Sequence, residues 1–153
     1  GHPLSLVATT TEIAEKFDNG MEYFNSYGGH PVSCAIGHAV LKIIDDEDLQ
    51  SRSEKVGKKL KSMLNKLQKN HEIIGEVRGM GLFIGVEFID RGNKLKPNST
   101  DAASIVNAMK NRGILLSVDG PDKNVIKIKP PMVFNDENAT FLVENLEAAL
   151  SDY

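Results

Sequence analysis

Ile73-Ile74-Gly75-Glu76-Val77-Arg78-Gly79-Met80-Gly81-Leu82-Phe83-Ile84-Gly85-Val86-Glu87-Phe88-Ile89 decides the fold class of this chain. β-Branched and aromatic residues recur through it, as a half-buried strand requires. Glycines 79, 81 and 85 inside strand-like sequence indicate a bend or a bulge. Downstream, Arg91 to Ser99 is polar and reads as a loop. Ala102, Ile105, Val106 and Met109 share one helical face, and Gly113 stops that helix. Ile114-Leu115-Leu116 reads as a strand and Asp119-Gly120-Pro121 as a turn. Val125-Ile126-Lys127-Ile128-Lys129 alternates as a strand should, and Pro130-Pro131 ends it. Phe134-Asn135-Asp136-Glu137 supplies a hydrophobic staple, a cap and an acidic first turn. The last helix then turns Ala139, Leu142, Val143, Leu146 and Leu150 inward. Strand, helix, strand, strand, helix implies the α/β (α+β) class, a small sheet covered on one face by helices.

The first seventy residues are mostly helical and do not complete that sheet. Leu4-Ser5-Leu6-Val7-Ala8 reads as a strand, Thr9 to Glu12 as a capping box, and Glu12 to Phe17 as a short helix that Asp18-Asn19-Gly20 ends. From Pro31, the residues Val32, Ala35, Ile36, Ala39, Val40, Ile43 and Ile44 form one helical face. After the acidic break Asp45 to Asp48, a second face runs through Val56, Leu60, Met63, Leu64 and Leu67. Lys55, Lys58, Lys59, Lys61, Lys66 and Lys69 line its other side, the pattern of a solvated face. Two unequal pieces follow: the tail of some other domain, then a compact α+β domain.

The chain has 153 residues, enough for one domain with its own core. A net charge of −3 gives no electrostatic case for nucleic acid or an acidic membrane. No apolar run approaches the roughly 20 residues of a membrane helix. The single Cys34 excludes an internal disulfide framework and points to a reducing compartment. On the apolar side of its helix, it reads as a small buried residue. The four histidines lack metal-ligand spacing, and neither a GxSxG elbow nor a P-loop is present. The abrupt start at Gly1-His2-Pro3, with no initiator methionine and no visible signal peptide, suggests a processed or cut product.

Two places carry candidate chemistry. Glu22-Tyr23-Phe24-Asn25-Ser26-Tyr27-Gly28-Gly29-His30-Pro31 reads as a sharp turn opening a helix, with Pro31 in the first turn. Free N–H groups there, with the Ser26 hydroxyl beside them, suit a phosphate or another anion. The pattern alone also fits a helix opening with nothing bound, and glycine punctuation is the commoner case. Lys127 and Lys129 share one strand face, opposite Ile126 and Ile128. Two lysines there suit a carboxylate or phosphate, although solvent exposure is the default for lysine.

Asn25-Ser26-Tyr27-Gly28-Gly29-His30-Pro31-Val32-Ser33-Cys34-Ala35 resembles the signature of the class III aminotransferases. Val77 to Glu87 resembles that family's strand entering its small C-terminal domain. Ile126-Lys127-Ile128-Lys129-Pro130-Pro131-Met132 resembles its late strand and proline pair. Gly1-His2-Pro3 resembles the residues just after the cofactor-holding lysine. Within the family, Met21 to Asn25 and Leu116 to Pro121 look most like the ethanolamine-phosphate and phosphohydroxylysine phospho-lyases.

The resemblance implies a homodimeric fold type I enzyme using pyridoxal 5'-phosphate. Residues 1–45 would end its large cofactor-binding domain and begin the connecting helix. Residues 46–153 would form the small domain, on a mostly antiparallel sheet. Ser26 would bind the cofactor phosphate in the neighbouring subunit's site, assisted by the Tyr27 backbone N–H. Lys127 would bind substrate where many relatives have an arginine. An arginine fork grips a carboxylate bidentately, whereas lysine offers a point charge, which suits a substrate lacking that carboxylate. The cofactor-holding lysine would lie upstream, so this chain carries no catalytic residue and is expected to be inactive alone. The implied reaction eliminates phosphate from a phosphorylated amine to give aldehyde, ammonia and phosphate. Alternatives are an alanine–glyoxylate type transaminase and a non-enzymatic binding or dimerisation module. The implied compartment is mitochondrial or cytoplasmic, with no nucleic-acid or membrane partner.

Overall fold

A computed structural model describes residues 2–152. Gly1, part of the Gly1-His2-Pro3 resemblance, lies outside the described residues. The chain divides into two compact units, parted between Glu47 and Asp48.

The first unit holds α1 (Thr11–Phe17) and α2 (Pro31–Asp46). α2 starts where proline is tolerated: Pro31 sits in its first turn and the His30 side chain accepts the Ser33 N–H. Leu4 to Ala8 is not a strand, because strands exist by pairing and no described segment pairs with it. The Thr9–Glu12 capping box does not form either. Thr10 is the N-cap of α1 and makes no side-chain cap bond. Within this unit the apolar face of α2 stays open, with Val32, Ile36, Val40 and Ile43 all exposed. Cys34 is therefore exposed rather than buried.

The second unit comprises α3 (Leu49–Asn70), β1 (Ile74–Met80), β2 (Phe83–Asp90), β3 (Asn93–Pro97), α4 (Ser99–Asn111), β4 (Ser117–Asp119), β5 (Val125–Ile128) and α5 (Asp136–Ser151). The stretch read as one bent strand is a hairpin. β1 and β2 run antiparallel with Val77 opposite Val86. Gly79 at φ 137° and Gly81 at φ 54° take backbone conformations that a side chain would oppose. A register shift lies near Gly75, between Ile74 and Glu76. The expected loop after Arg91 contains β3, a fully exposed strand pairing with β2. Ile114 to Leu116 is not a strand. Gly113 N–H bonds the Lys110 carbonyl and Ile114 N–H the Met109 carbonyl, closing the end of α4. Pairing begins only at Ser117, opposite Lys127.

The sheet order is β1-β2-β5-β4, every neighbour antiparallel, with β3 beside β2. Alternation sorts its faces. Val77, Ile84, Val86, Phe88, Ile126 and Ile128 are buried. α3 and α4 contact the sheet and α5 packs against both helices. Leu60, Leu64, Ile105, Met109 and Leu146 fill that core. Each such side chain contributes about 1.5–3 kcal/mol through burial. α5 opens with the expected cap, Asn135 and Asn138 bonding each other's backbone N–H reciprocally. The opposite sheet face carries Glu76, Arg78, Gly85, Glu87, Ser117, Asp119 and Lys127.

Candidate functional site

Ser26 and Tyr27 lie in the first unit and Lys127 in the second. Ser26 begins the turn that leads into α2. Asn25 shapes that turn: its Oδ1 accepts the Tyr27 N–H at 3.0 Å, and its carbonyl accepts the Gly28 N–H at 3.0 Å. His30 N–H then bonds the Tyr27 carbonyl at 3.2 Å, and Gly29 sits at φ 68°. Ser26 is exposed, and its hydroxyl has no hydrogen-bond partner among the described residues. A free hydroxyl on a turn before a helix N-terminus suits a phosphate, since the helix end carries partial positive charge. The donor set thus fits a phosphorylated cofactor through Ser26. The Tyr27 N–H is engaged by Asn25 and contributes only by sharing.

Sequence reasoning missed two features here. The His30 ring caps α2, its Nδ1 accepting the Ser33 N–H at 3.3 Å. The Ser33 hydroxyl bridges His2 Nε2 at 2.8 Å and His30 Nδ1 at 3.2 Å. A histidine directly before Pro31 was the available signal for the cap. No pattern announced the bridge.

Lys127 sits on β5 in a row that crosses the sheet: Arg78, Gly85, Lys127, Ser117. Gly85 puts no side chain into that row. A depression of about 320 Å³ opens there, lined by Arg78, Phe83, Gly85, Asp119, Val125 and Lys127 among others. Neither cation in it is idle. Arg78 pairs with Glu76 at 2.8 Å and with Glu87. Its hydrogen bond with Glu87, aided by Glu76, holds the guanidinium more firmly protonated than usual. Lys127 Nζ lies 2.6 Å from Asp119 Oδ2. Asp119 Oδ1 accepts the Gly120 N–H at 2.8 Å. The Lys127 hydrogen bond, then that N–H, hold the Asp119 carboxyl below the usual carboxylate range. Lys129 is exposed beside them.

The lysine stripe of α3 is a solvated face, with Lys58 bonded to Glu54 and Lys59 to Asp136. Among the described residues, no group of three or more His, Cys, Asp and Glu side chains could hold a metal ion. No helix of the described residues is long and apolar enough to cross a membrane.

The model of the family described as Aminotransferase class-III matches residues 1–150. Ethanolamine-phosphate phospho-lyase homolog 1 of Caenorhabditis elegans is 44% identical over 152 residues, covering 99% of this chain and 32% of that protein. Alanine–glyoxylate aminotransferase 2 homolog 2, mitochondrial, of Arabidopsis thaliana is 41% identical over 151 residues, 99% of this chain and 31% of that protein. A phospholyase from Arthrobacter, solved in complex with phosphoethanolamine, superimposes with a TM-score of 0.90 at 36% identity, over 95% of this chain and 34% of that one. The chain spans about a third of the length of each of these three proteins.

Proposed function

Because the chain belongs to the class III aminotransferase family, we propose that it is the C-terminal third of a pyridoxal-phosphate-dependent phospho-lyase acting on a small phosphorylated amine. One observation carries the substrate class: the similar Arthrobacter phospholyase holds phosphoethanolamine. The division after Glu47 supports reading residues 1–45 as the end of the large domain and residues 46–153 as the small domain.

The family's cofactor is pyridoxal phosphate. When bound, it withdraws electrons from the carbon bearing the substrate amine, so that a proton leaves there and phosphate leaves the neighbouring carbon. One water is then consumed, and aldehyde, ammonia and phosphate are the products. This chain's residues bind and orient. Ser26 donates its hydroxyl to the cofactor phosphate, a charge-assisted bond. Lys127 supplies positive charge to the anionic end of the substrate. A point charge suits a phosphate, whereas the fork of an arginine suits a carboxylate. The site is shared between two copies in a homodimer. Exposure of Tyr23, Phe24 and Tyr27 around Ser26 supports a second surface there. The compartment is mitochondrial or cytoplasmic, the first in keeping with the name of the Arabidopsis thaliana relative.

The test is an assay of the full-length parent with phosphoethanolamine and phosphohydroxylysine, and separately with alanine plus glyoxylate. Phosphate and ammonia released together without pyruvate establish the lyase. Pyruvate and glycine without phosphate establish the transaminase, the second reading, which the identity to an alanine–glyoxylate aminotransferase homologue favours. Ser26→Ala in the parent weakens cofactor retention about ten-fold or more, the worth of a hydrogen bond to a charged group. Unchanged retention refutes that role for Ser26.

A further inference from the structure

The cation assigned to the substrate is already occupied. Lys127 Nζ stands 2.6 Å from Asp119 Oδ2, across the pairing of β4 with β5. We propose that Asp119 is an internal competitor for Lys127, a latch that the anionic group of the substrate must displace and that sets the least charge a substrate can carry. The proposal rests on the reading of Lys127 as the substrate's cation.

The argument starts from likeness. Asp119 offers Lys127 the same ligand as a carboxylate substrate: one negative charge and two oxygens. It is tethered to the neighbouring strand, so its effective concentration far exceeds that of a dissolved monoanion. A carboxylate entering the depression therefore gains little by exchange. A phosphate dianion brings nearly twice the charge and three acceptor oxygens, and its attraction to Lys127 at equal distance is about doubled. The cost of opening is common to every anion, and only the dianion has interaction to spare. The latch thus acts as a floor.

The surroundings let Asp119 yield without leaving a buried charge. Its side chain is 56% exposed, against 32% for Lys127. Oδ1 keeps the Gly120 N–H, so the carboxylate stays seated when the lysine turns away. Lys129 is close enough to act on the same carboxylate electrostatically. Arg78, the other cation of the row, is held between Glu76 and Glu87 and has two carboxylates to lose. Lys127 has one, which makes it the cation that exchanges.

The experiment uses the full-length holoenzyme at pH 8, with the cofactor phosphate site filled, and measures inhibition constants for inorganic phosphate and for acetate. Asp119→Asn keeps an acceptor for the Gly120 N–H and removes the charge. It is expected to tighten both anions about two- to five-fold, the range spanned by exposed ion pairs. Inhibition by ethanolamine, which has no anionic group, is expected to stay unchanged. Asp119→Glu is expected to restore weak acetate binding. The same change is then made beside Lys127→Gln, where a latch has nothing to hold and Asp119→Asn should have no effect. Unchanged constants in the single variant overturn the proposal. An equal gain in the Lys127→Gln background also overturns it, since a general field effect then suffices. If Lys127→Gln alone leaves phosphate inhibition unaltered, the assignment of Lys127 fails and the latch with it. Loss from Lys127→Gln with no gain from Asp119→Asn refutes the latch alone.

Discussion

Gly57→Ala sets two physical effects of opposite sign against each other. Gly57 lies within α3, where alanine favours the helix by about 1 kcal/mol. Position 57 is also where α3 meets the turn between β1 and β2. A Cβ there would stand 2.0 Å from the Gly81 carbonyl oxygen and 2.3 Å from its carbon, where ordinary contact begins at 3.4 Å. The obstacle is backbone, so no rotamer change relieves it, and helix and hairpin must part by well over an ångström. Overpacking of that kind costs about 3 kcal/mol, the upper end of its usual range. Packing wins, with a net loss of about 2 kcal/mol. Urea denaturation followed by far-UV circular dichroism should show a lower midpoint at a similar slope. Thermal melting should fall by roughly 4–8 °C, at about 2–4 °C per kcal/mol for a chain of this length. An unchanged or raised midpoint would refute the close approach. Gly37 is the contrast: an added Cβ meets only the tip of Leu4, 2.4 Å from Cδ2. A leucine end turns aside, so in Gly37→Ala propensity wins and the helical signal holds or rises.

Phe88→Ala empties a fully buried site in the sheet and should cost about 3–5 kcal/mol, read from the denaturation midpoint. Asn135→Ala removes the reciprocal cap of α5 and should cost about 1 kcal/mol in the same assay, with Asn135→Asp nearly silent. Acid should destabilise the fold in a direction set by three carboxyls. Asp119 is lowered first by Lys127, Asp90 first by the Gly92 N–H, and Glu54 first by Lys58. Depressed in the folded chain, they add stability above the ordinary carboxylate pKa near about 4 and lose it as pH falls through the lowered value. Melting temperature should hold above that range and drop below it, with a shallower acid slope in Asp119→Asn. A melting temperature that rises on acidification would contradict the sign.

How much of this was legible in sequence depended on repetition. α2, α4 and α5 repeat their apolar spacing over two turns or more and are legible close to their observed bounds. The β1–β2 hairpin was merged into one strand, because Gly79-Met80-Gly81-Leu82 lacks the Asn-Gly or Asp-Gly signal of a tight turn. β3 escaped notice since all five of its residues are exposed and no alternation marks them. The triplet Ile114-Leu115-Leu116 misled in the other direction, apolar but committed to closing α4. Of the site, Ser26 stood out as a hydroxyl before a proline-started helix. The pairing of Lys127 with Asp119 did not, because it exists only once β4 and β5 take their register.

No residue from His2 to Glu47 is buried within its own unit, and Val7, Phe24 and Tyr27 stand 91%, 79% and 83% exposed. Taken in time rather than space, that surface has a history. Ribosomes release these residues before the segment from Asp48 onward that can build a core. At about 5–20 residues per second, translating that segment takes roughly 5–20 s. Throughout that interval these aromatic side chains are covered only by segments made earlier in the proposed parent, by a second copy, or by holdase chaperones.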